Sequence, residues 1–222
     1  MGSYKLRRLI VVCVLLLVAA IQLASLPVSD LQLPTESINE ENIPASLAEI
    51  PVKGRAPKTG YQRRQFGDGW ETRGGCDTRN IILARDLQEE VIDERCNVTE
   101  GILNDPYTGN TIRFSRREGS NNVQIDHVVA LSDAWQKGAQ QLTYEKRVAF
   151  ANDPLNLLAV DGPTNQKKSD GDAATWLPPN KAFRCQYIQR QISVKQKYIL
   201  WVTSPERDAM ARILGTCAQQ NS

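Results

Sequence analysis

The chain of 222 residues is poor in several residue types that mark common functions: it has one histidine, two methionines and no Cys-x-x-Cys pair. Without a Cys-x-x-Cys element a zinc ribbon has no ligand pair to start from. With His127 alone, any step that needs an imidazole has one candidate and no competitor. Strong charge is missing as well. The formal net charge of +2 includes Lys5, Arg7 and Arg8; without them 24 basic residues face 25 acidic ones. Five acids and no bases fall in residues 27–52, which leaves residues 53–222 with an excess of four positive charges. Binding of a polyanion would therefore have to come from local patches.

One long apolar run is present, Leu9 to Ala24, interrupted only by Gln22 and preceded by those three bases. This is the layout of a secretory signal, although Ala19-Ala20 and Ala24-Ser25 offer no clean cleavage pattern. The run is near the lower limit for spanning a bilayer. Residues 1–26 thus read as a signal peptide or an N-terminal membrane anchor, and either one exports the rest, to a secreted or cell-surface location. Cysteine usage agrees. Cys13 lies in the run, while Cys76, Cys96, Cys185 and Cys217 form an even set suited to an oxidising compartment. Four cysteines permit three pairings; closeness in sequence favours Cys76 with Cys96 and Cys185 with Cys217.

Residues 27–60 carry Pro27, Pro34, Pro44, Pro51 and Pro57 among scattered acids, and read as a disordered linker. One domain is expected over residues 61–222. Asp77 can cap a helix from Thr78 to about Val91, with Leu83, Leu87 and Val91 on one face. Turn formers from Asn104 to Asn110 separate two β-prone runs and predict a hairpin. Val123 to His127 predicts a strand, Ala130 to Phe150 a mostly helical stretch weakened by Gly138, and Leu157 to Val160 a second strand. Pro163 then opens a helix that carries Asn165 in its first turn. Two helices, from Asn180 to about Val202 and from Ser204 to Cys217, would finish the domain.

The chemistry centres on Asp126-His127. A neutral imidazole can accept a proton from water near neutral pH, since its unperturbed pKa is about 6.5. Asp126 offers an anionic oxygen and Asn165 a neutral one, a donor set suited to Mg²⁺, with Mn²⁺ or Zn²⁺ as alternatives. Neighbouring residues on a regular strand face opposite ways, so the strand must end or bend at His127 for both to share a site.

Ile125-Asp126-His127-Val128-Val129, the nine-residue step from Asn156 to Asn165, and Lys167-Lys168-Ser169-Asp170 together resemble the His-Asn-His (HNH, or ββα-metal) nuclease superfamily. Gly75-Cys76-Asp77-Thr78-Arg79-Asn80, Asp105-Pro106-Tyr107-Thr108-Gly109 and Ala173-Ala174-Thr175-Trp176-Leu177-Pro178-Pro179 make the chain look similar to exported bacterial members. The resemblance implies an α+β fold: a ββα-metal core with an inserted helix, flanking helices and two disulfides. It implies an endonuclease acting on DNA or RNA, DNA first, with one divalent ion and as a monomer. It makes His127 the general base, Asn156 the amide that pins the histidine loop, and Asp126 and Asn165 the metal ligands. The first and last motif positions depart from the superfamily's familiar histidines, and the gap between His127 and Asn156 is long.

Lys167, Lys168, Lys181, Arg184 and Arg190 are candidate nucleic-acid contacts. Lys195 and Lys197 belong to the same basic stretch, and Arg63, Arg64 and Arg73 form another. Asp133, Asp170 and Asp172 read as solvated acids, and Trp176 as a packing residue. Asn97-Val98-Thr99 fits a glycosylation sequon. Two other readings stand beside the nuclease: a catalytically silent nucleic-acid-binding or surface module of the same fold, and an interaction protein whose active part is the Pro-rich segment.

Overall fold

In the computed structural model, which describes residues 43–119 and 121–220, local chemistry sets most element boundaries. The expected signal or anchor at residues 1–26 lies outside the described residues, and so do residues 27–42 of the expected linker. No helix among the described residues is long and apolar enough to cross a membrane. Helix α1 (Ile43–Ala48) is followed by a 3-10 turn at Arg63–Phe66 and by the short antiparallel pair β1 (Thr72–Arg73) and β2 (Cys76–Asp77). The Asp77 carboxylate then caps α2 (Thr78–Asp86), accepting from the Asn80 backbone N–H at 2.7 Å.

α2 stops at Asp86, short of the Val91 that helical spacing predicts. Leu87–Ile92 is instead β3, antiparallel to β4 (Val98–Asn104), which pairs with β5 (Thr111–Ser115) as the expected hairpin. The apparent helix face is not one buried face: Leu87 is 5% exposed, whereas Val91 is 52% exposed. Leu87 packs onto Gly101 of the facing strand, where an added Cβ would sit 2.6 Å from the Leu87 side chain. Sheet packing thus overrides the four-residue recurrence.

β6 (Val123–His127) comes next, then α3 (Leu131–Gln136) and α4 (Tyr144–Ala151), then β7 (Leu157–Asp161) and α5 (Gly162–Lys168). The helical stretch expected from Ala130 to Phe150 breaks at Gly138, whose φ is 122° and which lies against the Trp201 ring. β6 and β7 are antiparallel, with Val123 opposite Asp161 and His127 opposite Leu157. α6 (Arg184–Lys197) and α7 (Ser204–Gln220) complete the fold. Disulfides Cys76–Cys96 and Cys185–Cys217 have the expected pairing, and the second ties α6 to α7.

Three apolar clusters hold these layers together. One lies among the three-stranded sheet, α2 and the β6–β7 pair, around Leu83, Leu103, Phe114 and Val123. Another gathers Phe66, Trp135, Phe150 and Leu200. The largest joins β7, α6 and α7 through Leu158, Tyr187, Ile192 and Met210, and it includes Leu47 and Ile50. Those two residues correct the linker expectation. Leu47 and Ile50 are 6% and 3% exposed, and Val52 bridges Val202. The packed domain therefore begins well before residue 61, because two apolar anchors outweigh a Pro-rich, acidic composition.

A buried charge network is the other organiser. Lys137 Nζ contacts Asp133, Asp172 and Glu206 at 2.7, 2.7 and 2.6 Å, and Lys195 Nζ contacts Glu206 at 3.0 Å. Arg55 closes it from the N-terminal segment, at 3.0 Å from Asp133 and 2.6 Å from Asp172. Burial alone would lower the Lys137 pKa, but the surrounding carboxylates outweigh it and raise it. Asp133, Asp172 and Lys195, expected on the solvated surface, are corrected to the interior.

Replacing Cys185 and Cys217 together by serine removes a cross-link spanning 32 residues. Chain-entropy reasoning gives a loss of about 4 kcal/mol. Urea unfolding of wild type and the double variant measures it, and an unchanged midpoint would show that the cross-link adds nothing.

Candidate functional site

β6 ends at His127, and the chain turns there because Asn156 holds it. Asn156 is fully buried. Its Oδ1 accepts from the Val129 N–H at 2.8 Å, its Nδ2 donates to the Val129 carbonyl at 3.3 Å, and its own carbonyl accepts from the Val128 N–H at 2.8 Å. With regular strand geometry ended at that point, Asp126 and His127 both line one cleft of about 580 Å³, together with Asn165, Ser169 and Asp170. Asn165 enters through a tight junction: a Cβ on Gly162 would lie 1.9 Å from the Asn121 carbonyl oxygen. Only glycine lets β7 pass so closely into α5.

His127 is 7% exposed and clamped on two sides. Its Nε2 lies 2.9 Å from the Ala151 carbonyl oxygen. A carbonyl only accepts, so Nε2 carries the hydrogen and the neutral ring keeps its lone pair on Nδ1. The indole of Trp70 stacks on the imidazole, with centroids 5.7 Å apart and planes 11° apart. Burial lowers the His127 pKa to about 3; the Ala151 bond opposes this, and the charges of Arg63 and Lys168 add to it. The ring is neutral at neutral pH.

Asp126 is also buried, and both carboxylate oxygens have partners. Oδ2 accepts from the Tyr107 hydroxyl at 2.5 Å, and Oδ1 accepts from Lys168 Nζ at 2.9 Å. Lys168 also donates to the His127 carbonyl at 2.8 Å. Burial pushes the Asp126 pKa up, against the Lys168 charge and hydrogen bonds from Tyr107, Lys168 and the His127 backbone. Asn165 donates from Nδ2 to Gln124 at 3.0 Å, and its Oδ1 takes part in no hydrogen bond among the described residues.

The structure thus brings Asp126, His127 and Asn165 to one cleft, with Asn156 directly behind it. The expected basic contacts divide. Lys168 is corrected: it is 2% exposed and spent on Asp126 and the His127 carbonyl, so it cannot reach an outside phosphate. Lys167 and Lys181 are exposed, Arg184 donates from Nε to the Pro178 carbonyl, and Arg190 has a buried Nε. Lys181, Arg184 and Arg190 do not line the cleft. Trp70, Tyr107 and the Ala151 carbonyl escaped the sequence reading. Tyr107 stands in the Asp105-to-Gly109 turn, so its motif was visible even though its reach to Asp126 was not.

Residues 77–213 match the family described as GmrSD restriction endonucleases, C-terminal domain, a span that contains Asp126, His127, Asn156 and Asn165. An uncharacterized secreted protein of Arthroderma benhamiae (strain ATCC MYA-4681 / CBS 112371) is 38% identical over 184 residues, covering 79% of this chain and 88% of its own. The sequence motifs pointed to exported bacterial proteins, whereas this relative is fungal. No solved structure matches.

Asn156→Ala leaves the buried Val129 N–H and carbonyl without their side-chain partner. A loss of about 2 kcal/mol is expected, together with changed ring resonances for His127. Denaturant unfolding and NMR of the single histidine check both, and unchanged histidine signals would contradict the clamp.

Proposed function

Because the chain belongs to the family of GmrSD restriction endonuclease C-terminal domains, and so to a nuclease-type family, we propose that it is an exported endonuclease of the His-Asn-His type that hydrolyses phosphodiester bonds in DNA. One observation carries this reading: the only histidine lines an open cleft as a neutral ring, with Nε2 committed to Ala151 and the Nδ1 lone pair uncommitted. That is the state in which an imidazole takes a proton from water. Two disulfides and the secreted fungal relative support an extracellular protein. The segment at residues 1–26 would direct its export.

The residues present fit one divalent ion. The Asp126 carboxylate accepts from Tyr107, Lys168 and the His127 backbone, and its two oxygens have about four lone-pair sites, while Asn165 Oδ1 takes part in no hydrogen bond among the described residues. Among the described residues no group of three or more His, Cys, Asp or Glu side chains is gathered for a metal. An ion held by Asp126 and Asn165 would complete its shell with water, as Mg²⁺ commonly does. Bound there, it would supply charge neutralisation at the phosphoryl group and the departing oxygen.

The protein's own groups do the rest. His127 Nδ1 accepts the proton of the attacking water. The Ala151 carbonyl holds the tautomer that makes this atom the acceptor, and Trp70 fixes the plane of the ring. Asn156 keeps the backbone after His127 turned away from the strand direction. Tyr107 and Lys168 hold the Asp126 carboxylate in place, and Lys168 Nζ ties it to the His127 carbonyl.

Plasmid cleavage in Mg²⁺ should stop with chelator and fall by about a thousandfold in His127→Ala. Full activity of purified His127→Ala would overturn the reading. Trp70→Ala should lower kcat roughly tenfold through loss of ring orientation, with KM unchanged and most of the rate restored in Trp70→Phe. Equal rates in Trp70→Ala and wild type would remove Trp70 from the mechanism.

A further inference from the structure

The charges lining the cleft are not balanced from within it. Four charged side chains line it: Arg63, Arg79, Asp126 and Asp170. Both acids are neutralised by lysines, Asp126 by Lys168 at 2.9 Å and Asp170 by Lys58 at 3.3 Å. Neither arginine makes an ion pair among the described residues. The cleft therefore presents two guanidinium groups without counterions beside the His127 ring.

Arg79 is the more telling of the two. It stands in the first turn of α2, where the helix dipole disfavours a cation. Its neighbour Arg116 is another guanidinium, whose hydrogen bonds go to neutral acceptors, the Val98 carbonyl and Asn80 Oδ1. The Arg79 pKa is lowered by burial and by Arg116; Asp77 opposes this, but its carboxylate is spent on capping α2. Besides the Asp77 charge, the Arg79 guanidinium has the Phe114 ring, 5.9 Å from its centroid. No carboxylate among the described residues forms an ion pair with this half-buried cation. Arg63, exposed on the 3-10 turn, adds to the same field and reaches His127 electrostatically.

We propose that Arg63 and Arg79 form a phosphate grip that takes backbone phosphates of a nucleic-acid strand on either side of the bond presented to His127, an assignment that rests on the nuclease reading above. The planar guanidinium fork suits the two free oxygens of a phosphodiester. The amides of Asn121 and Gln124 line the same cleft and offer neutral donors beside the grip. Direct neutralisation of phosphate releases counterions, so each arginine contributes to the salt dependence of binding as well as to its strength.

The test is binding without turnover. A fluorescein-labelled DNA oligonucleotide is titrated in chelator with wild type, Arg63→Gln, Arg79→Gln and Arg212→Gln, at a series of salt concentrations. Arg63→Gln and Arg79→Gln should each weaken binding about tenfold at low salt and reduce the salt slope by about one. Arg212→Gln, exposed on α7 and outside the cleft, should leave both unchanged. An equal effect from Arg212→Gln would mean diffuse charge attraction and overturn the grip. Should Arg79→Gln fail to fold because it leaves Phe114, Arg63→Gln and Arg79→Lys carry the measurement. Arg79→Lys should keep the slope yet lose affinity, because an ammonium keeps the charge but not the fork. Unchanged slopes in both cleft variants of a wild type that cleaves plasmid would sink the grip and leave the nuclease reading intact. Inorganic phosphate is titrated separately: tight binding that depends on both arginines, with oligonucleotide slopes unaffected, would mark a site for free phosphate and overturn the strand assignment.

Discussion

The arrangement depends first on a set of six charges, five of them buried and the sixth, Arg55, closing the set from the exposed side. Arg55, Lys137 and Lys195 face Asp133, Asp172 and Glu206, so the signs balance. Burying such groups costs several kcal/mol per ion, and their mutual attraction repays this only when every member is in place. The network therefore acts chiefly on specificity of arrangement. Its members come from the N-terminal segment, α3, the loop after α5, α6 and α7. A shift in any one of these would strand a charge in the interior. Because Arg55 belongs to the set, the segment that follows is held on the domain, with Lys58 on Asp170 and the Thr59 carbonyl accepting from the Trp135 indole. Tyr61 and Arg63 reach the cleft wall as a result.

The site uses the opposite device, neutral clamps on single groups. Asn156 ties the chain after β6 with one amide, the Ala151 carbonyl selects a tautomer, and the Trp70 indole covers a ring face. The acids of the cleft are the exception, Asp126 held by Lys168 and Asp170 by Lys58. On the proposed reading, neutral contacts would suit a group that changes protonation during a reaction, since a fixed counterion would favour one state throughout. The charge network lies in the helical layer, and the clamps come from loops and element ends. Stability and chemistry are thus carried by different parts of the chain.

What was legible in the sequence follows from this division. Asp126, His127, Asn156 and Asn165 could be picked out because each sits at the end of a short element with a clear local pattern, and their spacing carries the order of those elements. The hairpin of β4 and β5 and the cap of α2 were readable for the same reason; at α7 the reading placed the cap on Ser204, whereas the Thr203 hydroxyl accepts from the Glu206 N–H. The end of α2 was not, since β3 exists only through pairing with β4 and packing on Gly101. Asp133, Asp172 and Lys195 read as surface residues because their burial depends on partners from several elements at once. Leu47 and Ile50 were hidden in a Pro-rich stretch whose composition is that of a tether. Trp70 and Tyr107 stand far in sequence from the residues they touch, and no local pattern reports such a contact.

The electrostatics of the histidine and of the cleft are one problem. Burial and, to a smaller extent, the nearby positive charges make protonation of His127 costly, so the ring is a weak base. A weak base does not draw a proton from water unaided. The charges responsible, Arg63 and Lys168, belong to the same positive surroundings that favour an anion beside the ring. On the proposed reading, an anion beside the ring would cancel part of the field set by Arg63 and Lys168, while burial, the larger cause, would remain.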